Sequence, residues 1–252
     1  GPWPATPPSE RAKVLARFTE LLGERLEDFK SVISSEMGAP PSTVEMMMWT
    51  PAKGALDVFL GLAVPTTRRL IKPFVRLPLD QVDILLDSEA HEHRFAGLLI
   101  LVASYPRNPD EIAHFYLAAV RRGRVNNWDL VDCSAEFILG EYLYDRPREL
   151  LFELAASESV WERRVAMLST FGFIKHGDAS TALELATILA PDGHDLIRKA
   201  VGWMLREVGK RVDPALLLAY LDEHAARLSR TSLSYATEHL APEQRAHYRS
   251  LR

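Results

Sequence analysis

The feature that most constrains this chain is a recurrence. Polar helix starts at Arg94, Asp129, Arg164, Arg198 and Arg230 follow one another at intervals of 35, 35, 34 and 32 residues, each opening an apolar pattern of helical period. A helical unit repeated at a period near 34 cannot bury its apolar face alone and is stable only when stacked on its neighbours. From Leu60 onward the sequence reads as helix-period segments separated by Pro, Gly, Asp and Asn breaks. The tetratricopeptide consensus is missing. The expected fold is therefore all-α, a HEAT-like α-solenoid of short antiparallel helix pairs whose second helices line a concave face.

Charge and composition narrow the classes of function. A formal net charge of −4 gives no global attraction to a polyanion, so any nucleic-acid binding has to come from a local concentration of cations. Arg163, Arg164, Lys175, Arg198, Lys199, Arg206, Lys210 and Arg211 supply one, on the second helices of the later repeats. The single cysteine, Cys133, forms no internal disulfide, and no Cys/His cluster has zinc spacing, so neither a metal nor an oxidising compartment is expected. Glycine-rich phosphate loops and Gly-x-Ser-x-Gly elbows are absent, and no apolar run reaches membrane-spanning length. The expected setting is a bacterial cytosol, with no membrane partner.

One stretch carries candidate chemistry. In residues 126–143, Asn126 or Asn127 can cap a helix that places Trp128 and Asp132 one turn apart on one face. Asp129 shares the first turn, where negative charge suits the helix dipole. Val131, Ala135, Ile138 and Leu139 form a separate apolar stripe, which leaves Trp128 and Asp132 free to face something else. On spacing alone such a pair is more often a half-buried aromatic above a solvated acid. A second helix places Lys199, Trp203 and Arg206 at i, i+4 and i+7, an aromatic flanked by two cations on one face.

Three sets of residues resemble one known family when taken together. They are Asn127-Trp128-Asp129-Leu130-Val131-Asp132, Trp161-Glu162-Arg163-Arg164-Val165-Ala166, and the run from Arg198 to Glu207. They are similar to the DNA alkylation repair family of HEAT-like alkylpurine DNA glycosylases, over about residues 58–252. The Leu60 to Arg68 lead-in, His91-Glu92-His93-Arg94 and the closing Ser229 to Leu240 helix extend the likeness. The resemblance implies hydrolysis of the N-glycosidic bond of N3- or N7-alkylated purines in duplex DNA, recognised from outside with the damaged base left stacked. It implies Asp132 as the catalytic carboxylate, Trp128 and Trp203 as cleft aromatics, and Arg164 and Arg206 as phosphate contacts. Arg163 and Lys199 join them as expected DNA-binding residues on the same face, and Trp161 is read as core. No cofactor is implied and a monomer is expected. The alternative is a non-catalytic HEAT-like binder of damaged or branched DNA.

Residues 1–57 resemble something else. Trp3-Pro4, Pro8-Ser9-Glu10-Arg11 and Ser35-Glu36-Met37-Gly38-Ala39-Pro40 are similar to the N-terminal helical region of the aldehyde dehydrogenase family. That family's nucleophilic cysteine, general-base glutamate and nucleotide-binding sheet lie far downstream of such a segment, so neither dehydrogenase activity nor a nicotinamide cofactor is expected. The segment is expected to cap the exposed first repeat, with residues 58–252 as the second domain.

Overall fold

The computed structural model describes residues 58–251; the dehydrogenase-like segment, and the helices expected within it, lie outside the described residues. The chain runs through α1 (Val64–Leu70), α2 (Leu79–Leu86), α3 (His91–Ser104), α4 (Pro109–Arg121) and α5 (Trp128–Asp132). A π-helical turn (Glu136–Gly140) and α6 (Glu141–Leu143) continue α5. There follow α7 (Glu149–Ala155), α8 (Val160–Lys175), α9 (Ser180–Leu189), α10 (Asp195–Arg211), α11 (Pro214–His224), α12 (Arg230–Ala236) and α13 (Pro242–Ser250). Among the described residues the one extended pairing is an isolated parallel bridge between Val58 and Ala90. The all-α solenoid expected from the period is the fold observed.

Local chemistry sets the helix starts. Pro109 and Pro214 sit in the first turns of α4 and α11, where the missing N–H costs nothing and the fixed φ suits a helix. The side chains of Ser159, Asp213 and Ser229 accept backbone N–H groups at the starts of α8, α11 and α12.

Two layers result. Helices α2, α4, α7, α9 and α11 form one, and α3, α5 with its continuation, α8, α10 and α12 form the other. Consecutive members of the second layer pack on one another, most closely from the π turn onward, whereas in the first layer only α7 and α9 meet appreciably, and far less closely than these. A stack spread on one side and tight on the other curves toward the tight side, which puts the second helices on the concave face. Glycine permits that closeness. A Cβ on Gly140 would lie 2.4 Å from the Ser169 carbonyl oxygen, and one on Gly202 would lie 2.4 Å from that of Ser232. Beside these crossings Ser169 Oγ donates to the Ala135 carbonyl at 3.4 Å and Ser232 Oγ to the Arg198 carbonyl at 2.9 Å, each reaching 34 residues back. Tyr116, Leu130, Ile138, Met167 and Phe173 lie fully buried between the layers.

The recurring arginine is not what the spacing suggested. Arg94 Nη1 donates to the carbonyls of Ser88 and Glu89, Arg163 Nη1 to those of Ser157 and Glu158, and Arg198 Nε to that of Asp192. Each closes the turn that precedes its own helix. The equivalent of Arg94 and Arg198 is therefore Arg163 rather than Arg164, and the recurrence marks a loop fastening.

Candidate functional site

The stretch expected as one helix over 126–143 is interrupted. Asn127 Oδ1 accepts the Trp128 N–H at 2.8 Å and starts α5, which stops at Asp132. Ser134 is buried, and its hydroxyl bonds back to the Leu130 carbonyl and to the Tyr116 hydroxyl at 3.0 Å. Such back-bonding competes with the helical ladder. The chain then takes the wider π turn, a form found mostly as a single-turn insertion in α-helices and frequent at functional sites. The turn keeps Val131, Ala135, Ile138 and Leu139 buried as one stripe and leaves Phe137 exposed. Trp128, at the first position of α5, is 54 % exposed. An indole that open on a concave face is available to a ligand.

Asp132 is held by a fork. Arg164 on α8 donates through Nε and Nη2 to the two carboxylate oxygens, both at 2.9 Å, and through Nη1 to the Leu196 carbonyl at 2.6 Å in the first turn of α10. The Arg164 side chain is 5 % exposed and that of Asp132 19 %. Two parallel charge-assisted bonds fix a carboxylate in position and orientation. Burial pushes the Asp132 carboxyl above its ordinary pKa; Arg164 pulls in the opposite direction, neighbouring Asp129 adds to the rise, and the net direction is up. Arg164, expected as a phosphate contact, is thus buried and committed to Asp132 and to α10.

The other expected contacts are paired as well. Arg163 is bonded to Asp192 at 2.7 Å with both side chains largely covered, so it is a structural fastening rather than an exposed clamp. Lys199 pairs with Asp195 at 2.8 Å, which raises its pKa and lowers that of Asp195. Arg206 bonds to Glu238 and, at 3.2 Å, to Glu207. Burial opposes ionisation of Glu207, but hydrogen bonds from Arg211 and Arg206 win and hold its carboxyl below the usual range. Lys175 is bonded to Glu136 and sits over the rings of Phe137 and Phe171. The local basic concentration is therefore neutralised almost cation by cation. Lys199 and Arg206 differ from Arg163 and Arg164 in one respect: their partners Asp195 and Glu238 are more than half exposed and can exchange for phosphate.

Trp203 is half-buried, its ring 5.9 Å from that of Phe171 and its Nε1 donating to Glu207 at 3.3 Å. Trp161 is likewise half-buried and packs against the core, as expected. The structure thus brings Asp132, Arg164 and the start of the Lys199–Trp203–Arg206 helix together, with Trp128 one turn before Asp132. Sequence reasoning missed the bond between Asp129 and His91, 2.7 Å long and 38 residues apart, although His91 stood in a motif already singled out. Among the described residues no three His, Cys, Asp or Glu side chains are grouped to hold a metal, and no helix is long and apolar enough to cross a membrane. The Cys133 thiol is buried and its pKa is pushed well up by that burial, which leaves it a poor nucleophile.

No curated protein matches the chain. A solved structure, that of a predicted DNA alkylation repair enzyme from Enterococcus faecalis, superposes with a TM-score of 0.64 at 20% identity, covering 85% of this chain and 96% of the other, a likeness of fold. The family model described as DNA alkylation repair enzyme matches residues 42–240, most of the chain including every residue of the site. The chain therefore belongs to the DNA alkylation repair enzyme family.

Proposed function

We propose that this protein is a DNA glycosylase that hydrolyses the N-glycosidic bond of N3- and N7-alkylated purines in duplex DNA. The observation that carries the reading is the Asp132 carboxylate, fixed by the Arg164 fork one turn beyond an exposed tryptophan. A purine alkylated at either nitrogen is already cationic and leaves readily, so the protein has little need to protonate it. What develops as the bond breaks is positive charge on the deoxyribose. A preorganised carboxylate stabilises that charge and orients the attacking water, as acidic groups do in glycoside hydrolysis. Asp132 takes this role and Arg164 holds it in place. Trp128 and Trp203 offer π faces to the sugar and the cationic lesion, while Lys199 and Arg206 trade their carboxylate partners for backbone phosphates.

The second reading, a binder of damaged DNA without base release, has one observation in its favour: both Asp132 oxygens accept from Arg164, which leaves only their remaining lone pairs for substrate. One experiment separates the two. Duplex treated with a methylating agent is incubated with excess protein, and released 7-methylguanine is quantified against Asp132→Asn. Release above that control is expected. Salt-sensitive binding with no release from either protein sinks the glycosylase and leaves the binder.

A further inference from the structure

The motif His91-Glu92-His93-Arg94 has no part in the chemistry above, yet its side chains knit one junction. The Glu92 carboxylate accepts the backbone N–H groups of Leu60 and Gly61, each at 2.8 Å, and of Leu62 at 3.3 Å. His93 Nδ1 meets Ser88 Oγ at 2.9 Å, and Arg94 closes the same turn through the Ser88 and Glu89 carbonyls. The backbone joins in: Val58 N–H donates to the Glu89 carbonyl at 3.2 Å, and His91 N–H to the Val58 carbonyl at 2.9 Å. The segment leading into the repeat is thereby bound to the start of α3.

His91 carries that junction to the site. Its side chain is 4 % exposed, its ring stacks on Phe59 with centroids 4.6 Å apart, and Nε2 lies 2.7 Å from Asp129 Oδ2. A carboxylate only accepts, so Nε2 bears the hydrogen and donates it. Asp129 belongs to the first turn of α5, a helix of only five residues. So short a helix has almost no rigidity of its own, because nucleation is costly and few ladder bonds follow it. Its direction is set by what grips it. Arg164 of α8 grips Asp132, at the last position of α5, and His91 of α3 grips Asp129, near its beginning.

We propose that His91 is a positioning residue of this site: by holding Asp129 from α3 it fixes the first turn of α5, and hence the placement of Trp128 and Asp132 against the lead-in segment. The proposal rests on reading α5 as the reactive helix. Gln places an amide nitrogen where the imidazole has Nε2, so His91→Gln keeps the donor, whereas His91→Phe keeps the ring stack and loses the donor.

The test uses the full chain labelled with fluorotryptophan, with the Trp128 signal identified by Trp128→Phe, together with single-turnover base release from a duplex bearing 7-methylguanine. His91→Phe is expected to shift the Trp128 fluorine resonance while leaving that of Trp203 in place. It should also lower the maximal release rate about tenfold, the worth of one charge-assisted hydrogen bond, with little change in the protein concentration giving half-maximal rate. His91→Gln should restore both readouts. Asp129→Asn approaches the bond from the other side and should shift the same resonance, which covers the case in which His91→Phe fails to fold. An unmoved Trp128 signal in the variants that fold overturns the proposal, as does a Gln variant no better than Phe or a defect confined to half-saturation. If the wild-type protein releases no base while the Trp128 signal still follows His91, the glycosylase reading falls and the positioning role stands.

Discussion

Helices α5 and α10 occupy the same layer of the stack and share almost nothing else. α10 is regular for 17 residues, presents cations, and satisfies its exposed charges with exchangeable acids. α5 lasts five residues, breaks at Cys133, presents an acid and an open indole, and is gripped from both sides by buried side chains. On the proposed reading the regular helix holds the duplex and lends Trp203 to the lesion, but does not supply the carboxylate that acts on the sugar. In that reading the broken one supplies the carboxylate, and its five residues include no cation to hold a duplex. Under the proposed function, repetition supplies the grip and one departure from repetition supplies the chemistry.

The strongest way to break this contrast is Asp132→Asn. If the carboxylate stabilises charge on the sugar, release should fall by roughly 10²–10³ while duplex affinity stays within about twofold. A loss of affinity instead would make Asp132 another binding residue. The acid limb of the wild-type pH profile should lie above the ordinary aspartate pKa of about 3.9, because burial raises the Asp132 carboxyl and only the ionised form acts. Next comes Arg164→Met, which leaves Asp132 largely covered and without its arginine partner. We expect a loss of about 2–3 kcal/mol in urea unfolding and a further upward move of the acid limb, since a lost cation no longer favours the carboxylate. Stability unchanged by this substitution would show the fork to be ornamental.

Gly140→Ala tests whether the break depends on close approach. Its Cβ would meet the Ser169 carbonyl at 2.4 Å. A destabilisation of about 1–3 kcal/mol is expected by thermal or chemical unfolding, with release reduced because α5 and α8 are pushed apart. The smallest effect belongs to α10. Lys199→Ala with Arg206→Ala should weaken duplex binding about tenfold and reduce the salt slope by about two, across damaged and undamaged duplex alike, with the release rate at saturation nearly unchanged. A change in that rate would bring Lys199 and Arg206 into the chemistry and weaken the contrast.

How much of this was legible follows from the range of the interactions. The period was legible because apolar stripes and polar starts are local. The register slipped by one at Arg163 and Arg164 because two adjacent arginines have opposite jobs, and only the turn beneath Arg163 distinguishes them. The break after Asp132 was hidden, since neither Cys133 nor Ser134 is a helix breaker and the Ser134 hydroxyl that bonds back to the Leu130 carbonyl is also bonded to Tyr116 from another helix. The pairing of Arg164 with Asp132, of Arg206 with Glu238 and of His91 with Asp129 spans 32, 32 and 38 residues. A charge pattern read along the chain sees the cations and cannot see which acids the stack lays beside them. Trp128, Asp132 and Trp203 were singled out because a recognisable motif carried them, and their spacing alone favoured a bland reading.

The ties between helices carry one last consequence. Arg164 to Asp132, Ser169 to Ala135, Ser232 to Arg198 and Arg206 to Glu238 each bridge about one unit of the stack. Mechanical coupling in such a molecule is short-sighted: a disturbance at α12 or α13 arrives at Asp132 only after α10 and then α8 have each yielded in turn. The far end of the stack can therefore flex while the Asp132 carboxylate keeps its position.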